Sequence, residues 1–169
     1  MSNKHYAING PEGDTYWVIG DRITIKLTGA ETDGRYFIVE IVSEPGGGPS
    51  FLHTHPPMET FHILDGTFEI YYQDEAGTKQ TITANVGDLV HVPGGVPHAF
   101  KNVSDDLARV LVTYHPADMM EDFFRDIGIK MVDRNTPPVL DGPPDVDAAV
   151  ATFLKHGMTL IENPAEGEG

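Results

Sequence analysis

The stretch GGPSFLHTHPPMETFHILDG, from Gly47 to Gly66, decides how the rest of the chain is read. His53 and His55 are separated by one residue, so on an extended strand both imidazoles face the same way, because side chains alternate with a period of two. Two such nitrogens can grip one ion. Pro56-Pro57 ends that strand and allows a carboxylate, Glu59, to return from a neighbouring one. A second segment, GDLVHVPGGVPHAFKN from Gly87 to Asn102, places His98 after a run of turn residues, Pro93-Gly94-Gly95 and Pro97, that can steer it toward the same point. His53, His55, Glu59 and His98 are therefore candidate metal ligands. The parity that places Phe61 and Ile63 with Glu59 turns His62 the other way and removes it from the set. His91 is left as either a buried residue or one supporting a ligand.

Outward from this stretch, the chain reads as short strands. Arg22–Leu27 alternates Ile23, Ile25 and Leu27 with polar residues, and 35–43 (RYFIVEIVS) is β-branched and aromatic. Thr67–Gln73 and Lys79–Ala84 form a hairpin about the Asp74–Gly77 turn, and Leu89–Val92, His98–Asn102 and Ala108–Tyr114 follow. Roughly eight or nine strands with no intervening helix predict an all-β closed barrel or jelly roll. After His115-Pro116 the period changes to 3.6: Met119, Met120, Phe123, Phe124 and Ile127 form a stripe, with Gly128 as the stop, on a helix of about three turns. A Pro-rich connector leads to Asp145, the expected N-cap of a second helix carrying Val146, Ala149, Val150, Phe153 and Leu154 and ending at His156-Gly157. The expected organisation is a flexible arm over residues 1–15, a barrel over 16–115, two packed helices over 116–162 and a disordered acidic tail over 163–169.

Composition narrows the chemistry. The chain has 169 residues, one domain's worth, and 40% hydrophobic content, enough to bury a sizeable core. There is no cysteine, so disulfides and thiolate metal sites are excluded, leaving histidine and carboxylate, which suit iron, manganese, nickel, zinc or copper. A net charge of -15 opposes nucleic acid and anionic lipid as partners. No apolar run is long enough to span a membrane and the N-terminus lacks the apolar centre of a signal peptide, so a cytoplasmic location is expected.

The two segments read G-x5-H-x-H-x3-E-x6-G and G-x5-P-x-G-x2-H-x3-N. They resemble, at every fixed position, the two motifs of the cupin superfamily. A weaker likeness, through Tyr16-Trp17, the Thr32-to-Gly34 turn and MEDFFRDIG, is to bacterial single-domain cupins similar to quercetin 2,3-dioxygenase. The resemblance implies a double-stranded β-helix barrel holding one divalent transition metal on His53, His55, Glu59 and His98, with remaining coordination sites open to a small-molecule substrate. It implies a metal-dependent dioxygenase acting on a small aromatic or enolisable substrate, with Glu59 as ligand and catalytic base, and a homodimer. A sugar or keto-acid isomerase or epimerase, and a non-catalytic small-molecule binding or sensing protein, are the alternatives. Phe51, Phe61, Ile63 and Phe100 share the ligand face of their strands and are the expected pocket residues.

Overall fold

A computed structural model describes residues 13–49 and 51–161. Most of the expected N-terminal arm and all of the expected tail, 163–169, lie outside the described residues.

Ten strands, with one short 3-10 helix (Ala30–Thr32) between the second and third, come first: β1 (Thr15–Val18), β2 (Asp21–Leu27), β3 (Phe37–Ser43), β4 (His53–Thr54), β5 (Met58–Asp65), β6 (Thr67–Gln73), β7 (Lys79–Asn85), β8 (Leu89–Val92), β9 (His98–Asn102) and β10 (Ala108–His115). They are followed by α1 (Met120–Ile127), β11 (Ile129–Lys130), α2 (Val146–Lys155) and β12 (Thr159–Leu160). The strands form two sheets, one of order β11-β1-β2-β3-β10-β5-β8 and the other β12-β4-β9-β6-β7. This is the all-β, two-sheet jelly roll with C-terminal helices that the strand pattern predicts. The alternation holds best on β5, where Glu59, Phe61 and Ile63 are buried and Met58 and His62 exposed, and on β10, where Ala108, Val110, Val112 and Tyr114 point inward. Two apolar faces closing on each other remove these side chains from water, the main favourable term in folding.

The C-terminal segment does more than supply helices. β11 pairs with β1, and β12 pairs with β4 by setting Leu160 against His53 and Thr159 against Thr54. Each sheet thus gains an edge strand from the segment that follows the barrel, a pairing too short to be seen in periodicity. α1 is eight residues, about two turns rather than three. Asp118 adopts a left-handed backbone (φ 36°) that prevents the helix from starting earlier. Arg125 anchors α1 to β1, with Nη1 donating to the Tyr16 hydroxyl (2.9 Å) and to Asp14 (3.0 Å). α2 is capped by Asp145, whose carboxylate accepts from the Ala148 amide at 3.0 Å.

Candidate metal centre

Register brings the four candidate ligands together. β4 sets His53 opposite His98 of β9, and β10 sets Tyr114 opposite Glu59 of β5. One ring nitrogen from each of His53, His55 and His98 falls within 4.8 Å of the others, and all three histidines are buried. The Glu59 carboxylate lies beside two of the three: its Oε2 is 3.0 Å from His55 Nε2 and 2.7 Å from His98 Nε2.

The orientation of the rings has a local cause. His55 Nδ1 lies 2.8 Å from the Pro57 carbonyl oxygen, His98 Nδ1 lies 2.8 Å from that of Val96, and His53 Nδ1 lies 3.3 Å from that of Phe51. Each partner is two residues away in sequence, in the turn that flanks the histidine. A carbonyl accepts, so Nδ1 carries the proton and donates, and the neutral imidazole is left with its lone pair on Nε2. With neutral rings the Nε2 lone pairs of His55 and His98 face a carboxylate oxygen at hydrogen-bond distance, which calls for a positive charge there, either a proton on the ring or a metal ion. A divalent ion with bonds of about 2.0–2.2 Å meets that requirement with this donor set. The residues present therefore fit a metal.

Protonation preferences differ among the residues of the group. Burial, reinforced by His98, pushes His53 down to about 3 and keeps it neutral, the form that ligates. For Glu59, burial works against ionisation, but hydrogen bonds from His55 and His98 outweigh it and hold the carboxyl far below its usual range. Burial would lower His98, yet the Glu59 hydrogen bond and charge raise it. Burial and the neighbouring Glu59 charge hold the Tyr114 hydroxyl protonated, and that hydroxyl hydrogen-bonds to Glu59.

The group opens into a cavity of about 50 Å³. Phe100 lines it, together with Tyr114, Val18, Ile23 and Ile41 from the barrel and Met120, Phe123, Phe124, Phe153 and Met158 from the C-terminal segment. The other expected pocket residues are placed elsewhere. Phe61 (0% exposed) and Ile63 (1%) are sealed in the core beyond the cavity wall, and on β5 only Glu59 lines the cavity. Phe51 packs edge-on against Phe153 at 5.5 Å and backs His53 rather than lining the cavity. His62 and His91 are exposed, and His91 stands across from Thr60 on the outer face. Asn102 is a clamp: its Nδ2 donates to the carbonyls of Ser43, Glu44 and Asp106, joining β9 to the loop after β3.

Sequence reading passes over Tyr114, Asp21 and the aromatic residues of α1 and α2 as site residues. Tyr114 carried a usable signal, being the one polar-tipped side chain on the inward face of β10. Phe123 and Phe153 carried none beyond helix amphipathicity, which is the same for a residue packed on a barrel wall and one packed over its mouth.

Fold and site together define a two-sheet β protein with a buried three-histidine group that can hold a metal. A family model described as a cupin domain matches residues 39–114, from β3 through Tyr114. Residues 39–114 thus carry a cupin domain. It is 28% identical over 125 residues to quercetin 2,3-dioxygenase of Bacillus subtilis (strain 168), a match that takes in 73% of this chain and 34% of that protein. The chain thus spans about a third of the length of that relative. Among solved structures, an RmlC-like cupin from Shewanella frigidimarina NCIMB 400 superposes with a TM-score of 0.54 at 19% identity, over 72% of this chain and 96% of that one. An oxalate decarboxylase does so at 0.57 and 18%, over 90% of this chain and 39% of that one. These structural likenesses speak to the fold. Among the described residues, no helix is long and apolar enough to cross a membrane.

Proposed function

We propose that the chain is a metal-dependent dioxygenase for a small, neutral, enolisable substrate. The observation that carries this reading is the meeting of a carboxylate and three carbonyl-tethered imidazoles at the floor of an apolar cavity into which, among the described residues, no lysine or arginine projects. A dicarboxylate substrate would leave the carboxylate that the metal does not hold with no lysine or arginine in the lining to pair it, and burying an unpaired charge is costly. A neutral compound with an acidic enol or phenol suffers no such cost. At about 50 Å³ the cavity is well below the roughly 300–1,000 Å³ of sites for drug-sized ligands, which favours a few-carbon substrate over a flavonol.

His53, His55, His98 and Glu59 would hold the ion. When bound, a divalent transition metal supplies Lewis acidity toward a substrate oxygen and a path for electrons to dioxygen. Glu59 takes the substrate's hydroxyl proton on its carboxylate, and the Tyr114 hydroxyl, hydrogen-bonded to that carboxylate, holds its orientation. Phe123, Phe124 and Phe153 exclude water from the cavity, which strengthens the electrostatic effect of every polar group inside.

The test is elemental analysis of the purified protein, then oxygen uptake with acetylacetone, catechol and quercetin. Uptake with the diketone above the flavonol supports the reading. Turnover without oxygen would replace it with an isomerase, and a ligand bound and recovered unchanged would replace it with a binding protein. Glu59→Gln that keeps its metal but loses uptake would assign the carboxylate a base role beyond ligation.

A further inference from the structure

Asp21 is a buried acid on the wall of the same cavity. It opens β2, is 3% exposed, and lines the cavity with Val18, Ile23 and Ile41, none of which can hydrogen-bond through its side chain. Cross-strand register places it opposite Ser43 of β3, whose hydroxyl donates to Asp21 Oδ1 at 2.7 Å. The pair is roofed by the backbone of Gly47: a Cβ there would lie 2.8 Å from Asp21 Oδ1 and 2.6 Å from Ser43 Oγ, so a larger residue would have to displace the pair. The first glycine of the histidine-bearing stretch is thus the cover of this carboxyl.

We infer that Asp21 is a specificity-determining residue that remains a neutral carboxylic acid and donates a hydrogen bond to an acceptor oxygen of the substrate. The inference rests on the reading of the cavity as a substrate site and sharpens it: the substrate class becomes a neutral compound with two oxygen functions, one directed to the histidine group and one to Asp21, as in a 1,3-diketone. A carboxylate among apolar side chains costs far more than a carboxylic acid, so burial favours the form that can donate. Burial, against the Ser43 hydrogen bond and helped by the Glu44 charge, pushes this carboxyl up to about 7. The titratable groups around it are Glu44 on the loop after β3 and, lining the same cavity, His53, His55, Glu59, His98 and Tyr114. Arg22, next on the strand, turns away to donate to the Arg134 carbonyl at 2.7 Å.

The experiment is calorimetric binding of acetylacetone to the metal-loaded full chain from about pH 5 to about pH 9, with oxygen uptake measured alongside. In the wild type, affinity falls as pH rises through about 7, where the acid loses its proton. Asp21→Asn, which keeps a donor but cannot ionise, binds a few-fold more weakly at low pH and lacks the wild type's fall through about 7, any histidine titration being common to both proteins and cancelling in the comparison. Asp21→Leu binds about tenfold more weakly at low pH. An inflection unchanged in Asp21→Asn, or no binding of acetylacetone by the wild type, overturns the inference. Should Asp21→Leu fail to fold, the Asn profile decides alone. Binding with the expected profile but no oxygen uptake would overturn the dioxygenase reading and leave Asp21 its role.

Discussion

On one side of the cavity, His53, His55, Glu59 and His98 sit on β4, on β5, on β9 and in the turn between β4 and β5, each histidine tied to a carbonyl two residues away. On the other side, Met120, Phe123, Phe124, Phe153 and Met158 come from the segment after the barrel and are held by one another: Phe123 and Phe153 meet at 4.9 Å, and Phe123 and Phe124 at 5.3 Å. The first wall is positioned by backbone register and short tethers. The second is positioned by side-chain packing. Local tethering fixes direction whatever the distant chain does, whereas packing fixes shape only once every partner has arrived. Under the proposed function, the first wall carries the metal chemistry and the second sets the size limit on the substrate.

Removing a ring from the packed wall tests this division most severely. Phe153→Ala deletes a buried aromatic (4% exposed) touching Phe51, Phe123 and His53, and is expected to cost about 3–5 kcal/mol in urea unfolding while admitting larger substrates. Metal affinity falling as far as stability would show that the two walls are not separable.

The next effect concerns Asp21, which lies between the walls. Its folded-state value, about 7, is raised from 3.8, so between these limits the folded protein holds a proton that the unfolded chain has released. The contribution of this group to stability is fully present below the lower value and is lost as pH rises toward the upper, a change of about 4 kcal/mol. Unfolding curves of the wild type and Asp21→Asn should diverge in that window, the wild type losing stability relative to the variant. Parallel curves would mean that Asp21 is solvated.

On the tethered wall, His98→Ala should weaken metal binding by more than about 100-fold, since even outer partners of ligands are worth 10–100-fold. Competition with a chromophoric chelator reads this directly. The apo fold should lose less stability than Phe153→Ala does. The smallest effect is at the entry to α2: Asp145→Ala removes the bond to the Ala148 amide and should cost about 1 kcal/mol. It should appear as faster hydrogen exchange in α2, with β4 and β9 unaffected.

Much of the first wall was legible because its determinants are close in sequence. The one-residue spacing of His53 and His55 and the parity of Glu59, Phe61 and Ile63 set the direction of each side chain, and His62 is exposed as that parity requires. Parity does not say how deep along the barrel a side chain lies, so Phe61 and Ile63 share the face of Glu59 without reaching the cavity. Asp21 and Tyr114 were not legible as site residues because their partners, Ser43 and Glu59, lie 22 and 55 positions away and meet them only through strand pairing.

By itself, the sequence determined the strand alternation, the donor set and the absence of thiolate ligands, all properties of residue type and of spacings shorter than a strand. The tertiary structure alone decided that α1 and α2 cover the cavity, that β11 and β12 complete the sheets, and that Asp21 and Tyr114 face the same space as the histidines. The physical reason is that alternation and tethers act over a few residues, while cavity shape and the burial of a charge depend on which distant segments pack against one another.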